Sequence, residues 1–386
     1  MDSFVIEGGS PLNGQLRING SKNAALPLLA ASMLTAERVV LRDCPDLSDI
    51  RNMLVLLTEM GVDRLNARPA GVSERDAEDP NTIELHADPT GPTHARYDIV
   101  RTMRAGICVL GPALARRGAA RVSLPGGCAI GDRPIDLHLR GLEALGATIE
   151  LQDGDVIARA PRNARGKPRL RGAKVFLGGP NGSTVLGTAN VMSAATLAEG
   201  TTTIEAAACA PELVDLAQLL TSMGARITGA GSPRIKIDGV ERLTGCDHTV
   251  IPDRIEAGTF IAMAATTRGR LELTNCPLEA LLSFQAVLSA AGIELGILDA
   301  ADPMRAHCVI DQHVRPRSAI VTTQPPPGFA TDLQAPTMAL LATADGNSII
   351  TERIFPERFL HVAELTRMGA QLFRQGATVV VSGIEQ

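Results

Sequence analysis

The sequence predicts an α/β (α+β) fold made of repeated helix-and-strand units, and three observations support this prediction. One pattern of helix, strand, helix and strand recurs five times along the chain. The chain has 386 residues, more than a single hydrophobic core usually contains, so two domains are expected. Hydrophobic residues make up 45% of the chain and charged residues 20%, as is typical of globular proteins.

Each copy of the repeat has the same parts in the same order. An apolar helix rich in small residues precedes a short strand of β-branched residues, and a proline-marked connection leads to an amphipathic helix. A glycine then ends that helix in the left-handed conformation, and a new strand follows. The copies cover residues 28–62, 108–147, 192–225, 260–293 and 338–370, and the closing glycines are Gly61, Gly146, Gly224, Gly292 and Gly369.

The third copy shows the periodicity most clearly. Leu213, Leu216, Leu219 and Leu220 recur at helical spacing and predict one apolar face, which must pack against another element. Such a repeat specifies a fold and not a chemistry. The functional signal is therefore expected where one copy differs from the others.

Composition excludes several classes of protein. The absence of an 18-residue apolar run and of a signal-peptide pattern predicts a chain without membrane insertion or export. Seven cysteines without paired spacing favour reduced thiols and a cytoplasmic location, and no motif predicts a metal or a cofactor. The net charge of −5 argues against nucleic-acid binding. Oligomeric state is left open.

The second copy carries a glycine-rich loop within residues 124–139 where the other copies have a plain turn. Gly126, Gly127 and Gly131 surround Cys128, and Arg133 follows five residues later. A nearby cation favours both a thiolate and a bound anion, so the loop predicts covalent or acid–base chemistry on an anionic substrate. The alternative is an incidental cysteine, since most free cysteines are small buried hydrophobic residues.

An anionic substrate would need locally concentrated positive charge, for which Lys22, Arg101 with Arg104, Arg133 and Arg358 are the candidates. Structural explanations exist for several site candidates. Lys22 and Asn23 could mark a helix start, Arg104 a solvated helix surface, and Asp332 a helix N-cap.

Six segments in collinear order, which together extend over essentially the whole chain, resemble the enolpyruvyl transferases. The resemblance implies a two-domain inside-out α/β barrel of βαβαββ units, with helices inside, sheets outside and the active site in the interdomain cleft. It places residues 22–244, with the Cys128 loop, in one domain and residues 1–21 plus 245–386 in the other. Family members have six units, so the C-terminal unit is expected to be missing here, leaving the second domain truncated with an unpartnered face. The six segments are residues 20–27, 100–105, 124–139, 250–259, 329–334 and 352–359.

The implied reaction transfers the enolpyruvyl group of phosphoenolpyruvate to the 3′-hydroxyl of UDP-N-acetylglucosamine and releases phosphate, the first committed step of peptidoglycan synthesis. The resemblance assigns Cys128 as the general acid at C3 of phosphoenolpyruvate and as the thiol that adds at C2. It implies that the epoxide antibiotic fosfomycin modifies this cysteine. Asp332 is implied as the base for the sugar hydroxyl, and Lys22 as a catalytic and substrate-binding cation.

The remaining implied contacts are to the two substrates. Arg104 and Arg133 would bind phosphoenolpyruvate, Asn23 the sugar and the tetrahedral intermediate, and Arg358 would lie on the second domain's side of the cleft. Uridine and diphosphate are expected at Pro134, Ile135, Asp136, Leu137 and His138 and at the turn that contains Thr184 and Val185.

Two alternatives to this function stay open. The shikimate-pathway enzyme of the same fold, which acts on shikimate 3-phosphate, is disfavoured because it lacks a Cys128-type loop. A catalytically idle paralogue that binds a UDP-sugar, with a regulatory or assembly role, is favoured by the missing unit. The presence of Lys22, Arg104, Cys128, Arg133 and Asp332 disfavours the idle paralogue.

Overall fold

The computed structural model describes residues 5–66, 81–126 and 134–385. The chain divides into two compact bodies. The larger body is Gly20–Ile251, and the smaller body combines Met1–Asn19 with Pro252–Gln386.

Strands and helices are interspersed along the described chain. In chain order the strands are β1 (Asn13–Arg17), β2 (Val39–Arg42), β3 (Val62–Arg64), β4 (Ile83–Ala87), β5 (His94–Ala95), β6 (Ala119–Ser123), β7 (Thr148–Gln152), β8 (Asp155–Arg159), β9 (Lys174–Phe176), β10 (Gly178–Gly179), β11 (Gly182–Ser183), β12 (Thr201–Glu205), β13 (Arg226–Thr228), β14 (Arg234–Asp238), β15 (Cys246–Thr249), β16 (Arg270–Cys276), β17 (Leu295–Asp299), β18 (Ala306–Asp311), β19 (Ile320–Thr322), β20 (Asn347–Thr351), β21 (Gln371–Gln375) and β22 (Thr378–Ser382). The α-helices are α1 (Lys22–Ala31), α2 (Ser48–Glu59), α3 (Tyr97–Val100), α4 (Leu110–Arg117), α5 (Asp136–Ala144), α6 (Val185–Ala195), α7 (Pro211–Ser222), α8 (Arg254–Thr266), α9 (Leu282–Ala290), α10 (Gln334–Leu341) and α11 (Leu360–Arg367), and short 3₁₀ helices cover Ser32–Leu34, Arg104–Val109, Leu278–Leu281 and Thr331–Leu333.

Five four-stranded sheets with one shared topology account for nearly all of these strands. In the described part of the larger body they are β15-β2-β4-β3, β5-β6-β8-β7 and β9-β12-β14-β13, and in the smaller body β1-β16-β18-β17 and β19-β20-β22-β21. In each sheet the first pair of strands is parallel and the other pairs are antiparallel. The predicted α/β class and its five βαβαββ units are confirmed.

The chain passes between the bodies after β1 and after β15. Each of these strands pairs within one body, and the helix that follows it belongs to the other body. Strand β1 precedes α1 but pairs with β16 of the smaller body, and β15 precedes α8 but pairs with β2 of the larger body. The second boundary therefore follows Ile251, whereas the sequence analysis expected it at residue 245.

The first helix of each unit in the larger body lies in the core. Every residue of α1 from Ala24 onward and every residue of α6 from Gly187 onward is buried, as expected of helices that are apolar on all sides. Glycine permits the close approach of α4 to α6, because a Cβ on Gly111 would lie 2.3 Å from the carbonyl oxygen of Asn190. Small residues thus bring these helices together inside the sheets.

The second helix of each unit is amphipathic. On α7, the predicted face of Leu213, Leu216, Leu219 and Leu220 is buried, which confirms that prediction. The glycines that close the five copies all have positive φ, from +74° at Gly61 to +102° at Gly369, which confirms their predicted left-handed conformation.

The last unit of the smaller body leaves apolar surface uncovered. Helix α11 has no buried residue, and Leu360, Met368 and Phe373 are 66%, 75% and 67% exposed. Part of the apolar surface of this unit is therefore exposed. Within the described residues, no helix has the length and apolarity needed to cross a membrane.

Candidate active site

Lys22 and Asn23 begin α1 in the larger body. Ser21 is the N-cap, and its Oγ accepts a hydrogen bond from the backbone N–H of Ala24 at 3.3 Å. Because Ser21 caps this helix, Asn23 is not its cap, and the side chain of Asn23 lies at the surface. The Nζ of Lys22 lies 3.1 Å from Oδ2 of Asp49, so a carboxylate helps to orient this amine.

Arg104 begins the 3₁₀ helix that leads into α4, and it is half-buried. Gly126 is the last described residue in the first part of the glycine-rich loop, and a Cβ there would lie 2.0 Å from the carbonyl oxygen of Arg101. The entry to the loop therefore passes against the backbone three residues before Arg104. Cys128 and Arg133 themselves lie outside the described residues.

The segment expected to bind the nucleotide forms the start of α5. Pro134 and Asp136 are exposed, Ile135 and Leu137 are half-buried, and only 4% of His138 is accessible. The helix is tied to the β10–β11 hairpin because Nη2 of Arg140 donates to the carbonyl of Gly178 at 2.8 Å.

The hairpin also brings the second expected nucleotide segment to α5. A Cβ on Gly179 would lie 3.1 Å from Cδ1 of Leu137, and the hairpin leads directly into Thr184. Thr184 is the N-cap of α6, with Oγ1 accepting from the N–H of Gly187 at 3.1 Å, and the half-buried Val185 is the first helical residue. The structure thus places the beginnings of α5 and α6 on either side of one hairpin.

Asn190 connects the middle of α6 to His138, and sequence reasoning did not identify it. Its Oδ1 accepts from the N–H of Gly111 at 2.8 Å, and its Nδ2 donates to the carbonyl of Ile107 at 2.9 Å. The same Nδ2 lies 2.9 Å from Nδ1 of His138. Because that nitrogen is a donor, the network assigns Nδ1 as an acceptor and the imidazole proton to Nε2.

Asp332 and Arg358 form an ion pair in the smaller body. Nη1 of Arg358 lies 2.7 Å from Oδ1 of Asp332, with 22% of the arginine and 35% of the aspartate side chain exposed. Asp332 is not a helix N-cap, since Ala330 precedes the 3₁₀ helix and Leu333 precedes α10. The capping explanation for this carboxylate is therefore wrong.

A second carboxylate, Glu352, lies behind this ion pair, and only 1% of it is exposed. Its Oε1 accepts hydrogen bonds from Oγ1 of Thr323 at 2.6 Å and from the N–H groups of Ile354 and Phe355 at 2.8 and 3.0 Å. Its Oε2 accepts from Oγ1 of Thr331 at 2.8 Å. Sequence reasoning missed Glu352, although it begins the segment 352–359 that resembles the family.

His361 is a further titratable group of this neighbourhood. Burial lowers the pKa of His361 below its usual value of 6.5, and the positive charge of Arg358 lowers it further, while Glu352 raises it. Its buried Nε2 has no hydrogen-bond partner among the described residues. The imidazole is accordingly neutral at pH 7.

The described cysteines provide a contrast to the loop cysteine. Burial raises the pKa of Cys44 and of Cys108 to about 12, with Asp43 adding to the effect at Cys44. Cys276 and Cys308 are also fully buried. These four thiols therefore behave as small core residues. Across the described ranges, no cluster of three His, Cys, Asp or Glu side chains could hold a metal ion.

The structure also contains a cavity of about 550 Å³ in the larger body, lined by Arg116, Arg169 and Arg242 among others. It includes no expected site residue. Arg169 uses its donors on the carbonyl groups of Leu197 and Val240, at 3.1 and 3.2 Å, so this arginine is structural.

Comparison with known proteins places this architecture in a family. Residues 6–385 match the family model of EPSP synthase (3-phosphoshikimate 1-carboxyvinyltransferase). Solved structures are similar over 98% of this chain, namely the enolpyruvyl transferase NikO from Streptomyces tendae and an EPSP synthase from Acinetobacter baumannii. Their TM-scores are 0.82 and 0.69, they are 22% and 15% identical, and 83% of each of those chains is covered. The chain therefore belongs to the EPSP synthase family of enolpyruvyl transferases.

Within that family, the more similar relatives share one name. A protein of Rhodospirillum centenum is 48% identical, and one of Methylacidiphilum infernorum is 45% identical. Both are called UDP-N-acetylglucosamine 1-carboxyvinyltransferase. The matches cover 100% of this chain and 85% and 86% of those relatives.

Proposed function

We propose that this protein transfers the enolpyruvyl group of phosphoenolpyruvate to the 3′-hydroxyl of UDP-N-acetylglucosamine, with release of phosphate. The observation that carries the proposal is the 45–48% identity, along the whole chain, to relatives named for UDP-N-acetylglucosamine carboxyvinyl transfer. Similarity to the EPSP synthase structure is only 15% and supports the fold alone. The reaction is the first committed step of peptidoglycan synthesis, which we place in the cytoplasm.

The proposed chemistry has two stages that balance. The thiol of Cys128 gives a proton to C3 of phosphoenolpyruvate while the sugar oxygen forms a bond to C2, and Asp332 accepts the hydroxyl proton. In the second stage C3 returns a proton to the Cys128 thiolate, the bond between C2 and the phosphate oxygen breaks, and Asp332 gives its proton to the departing phosphate. The products are the enolpyruvyl ether and inorganic phosphate.

Geometry in the smaller body supports the proposed role of Asp332. Its carboxylate is neither buried nor used as a helix cap, and Arg358 directs it from 2.7 Å. A charge-assisted bond to a guanidinium restricts the direction of a carboxylate, which is what a positioned base requires. The 35% exposure leaves this carboxylate reachable by a substrate.

The larger body supplies the groups proposed to bind the substrates. Lys22, Arg104 and Arg133 would bind the phosphate and carboxylate of phosphoenolpyruvate, and Asn23 would bind the sugar. The first turns of α5 and α6 offer backbone N–H groups, which suit a diphosphate. Pro134, Ile135, Asp136, Leu137, His138, Thr184 and Val185 would therefore contact uridine and diphosphate, and Arg358 would act from the second domain.

Phosphate release tests the proposal directly. Full-length protein is incubated with both substrates, and Cys128→Ser and a reaction without UDP-N-acetylglucosamine serve as controls. Release that requires both substrates and Cys128 is expected. No release from the folded wild-type protein would overturn the proposal, and retained binding of UDP-N-acetylglucosamine would then support the idle paralogue. Release only with shikimate 3-phosphate would support the other enzyme.

A further inference from the structure

We propose that Glu352 is a positioning residue that, through Thr331 and Arg358, orients the carboxylate of Asp332. The inference rests on the proposed function for the role of Asp332 as a base. All four residues lie in the smaller body.

The first step is the burial of Glu352. A carboxylate that is 1% exposed is costly unless hydrogen bonds replace the lost water. Both oxygens accept such bonds, three to Oε1 and one to Oε2. Two of the donors are the backbone N–H groups of Ile354 and Phe355, so the carboxylate also shapes the turn that follows β20.

The second step is the direction of the Thr331 hydroxyl. A carboxylate can only accept, so Thr331 must donate its single proton to Oε2 of Glu352 at 2.8 Å. The lone pairs of its Oγ1 then face away from Glu352. One of them accepts from Nη1 of Arg358 at 3.1 Å, as this polarity requires.

The third step joins Arg358 to the proposed base. The same Nη1 that donates to Thr331 lies 2.7 Å from Oδ1 of Asp332. The Thr331 hydroxyl oxygen thereby orients the guanidinium of Arg358, and that guanidinium in turn orients the carboxylate of Asp332. Chains of charge-assisted hydrogen bonds of this kind fix geometry more strongly than separate pairs do.

The test uses Thr331→Val, which removes the hydroxyl, and Thr331→Ser, which keeps it. We expect Thr331→Val to lower kcat roughly 10- to 100-fold with little change in KM, since small displacements of reacting groups have effects of this size. Thr331→Ser should restore most of the rate. Glu352→Gln, whose amide would donate to Thr331 instead of accepting from it, should lower kcat in the same direction.

Coupling to Asp332 distinguishes positioning from a general structural role. In an Asp332→Asn background, measured in single turnovers at high enzyme concentration, Thr331→Val and Glu352→Gln should cause little further loss. The same fold-loss in both backgrounds would overturn the proposal. Glu272→Gln, which removes a carboxylate paired with Arg270 on β16 of the same body, is the control and should leave kcat unchanged.

A structural measurement separates this inference from the proposed function. If the wild-type protein releases no phosphate, the proposed function fails, and a crystal structure of Thr331→Val decides the inference alone. An Asp332 carboxylate that still meets Arg358 as in the wild-type protein would overturn the positioning role. A displaced carboxylate in Thr331→Val, restored in Thr331→Ser, would support it.

Discussion

The two bodies hold the side chains proposed for the site by different kinds of hydrogen-bond network. In the larger body the neutral amide of Asn190 holds His138 through Nδ1 and joins it to the start of α4. In the smaller body the charged groups of Glu352 and Arg358 hold Asp332. The neutral network keeps His138 in one tautomer, so that its Nε2–H is a fixed hydrogen-bond donor. A charged network directs a carboxylate that remains half-exposed and able to accept a proton.

The largest effect is expected when the carboxylate charge of Asp332 is removed from the charged network. Asp332→Asn should lower kcat roughly 10²- to 10⁴-fold, the usual contribution of a positioned acid or base. Binding of UDP-N-acetylglucosamine should persist, because the segments proposed to bind the nucleotide lie in the larger body. Phosphate release and calorimetric binding measure the two effects, and Asp345→Asn, at an exposed position of the same body, is the control.

Removing the neutral network should chiefly affect stability. Asn190→Leu would leave the N–H of Gly111 without its Asn190 acceptor, while the carbonyl of Ile107 would keep only the N–H of Leu110. The expected cost is about 1–3 kcal/mol in unfolding free energy. Urea denaturation measures this cost. KM for the UDP-sugar should also rise, because His138 loses its fixed tautomer. An unchanged denaturation midpoint would contradict the importance of this network.

Thiol reactivity should differ between the loop cysteine of the larger body and the buried cysteines of the smaller body. Fosfomycin is expected to modify Cys128 in the larger body, and mass spectrometry of peptides should find no adduct on Cys276 or Cys308, which are fully buried. Cys128→Ser should abolish the adduct. Modification of a buried thiol in place of Cys128 would refute the assignment of the loop cysteine.

The smallest expected effect concerns acid stability in the smaller body. Burial and the charge of Arg358 lower the pKa of His361 in the folded protein below 6.5, its usual value. As pH falls from about 6.5 toward the lowered pKa, the unfolded chain therefore binds more protons at His361 than the folded protein does. Stability contributed by the neutral imidazole is therefore lost on acidification through this window. His361→Gln should reduce the fall in Tm between pH 7 and pH 5.5. His86→Gln, at an exposed strand position of the larger body, is the matched control.

Much of the fold was predictable because local patterns repeat. Helical periodicity predicted the buried leucine face of α7, and the closing glycines had to be left-handed because a helix ends and a strand begins there. The α/β class followed from these units. The second boundary was misplaced because pairing of β15 with β2 joins residues about 200 positions apart, which no local pattern reveals.

Individual site residues were predictable only in part. Resemblance in collinear segments identified Asp332 and Arg358 as candidates. Their ion pair joins the 3₁₀ helix Thr331–Leu333 to the segment before α11, and it was not foreseen. Asn190 escaped notice because a polar residue inside an apolar helix has no local signature of its partner. Glu352 also went unnoticed, because its hydroxyl partners are 21 and 29 residues away and no local pattern indicates them.

The order of apolar, β-branched and glycine residues was sufficient to specify five α/β units and the one copy with an added cysteine loop. Periodicity and turn chemistry act over a few residues, so the chain carries this information locally. The polarity of the Thr331 hydroxyl, the tautomer of His138 and the exchange of β1 and β15 were decided by tertiary contacts. Hydrogen bonds between distant segments choose donors and acceptors only after the backbone has brought those groups together.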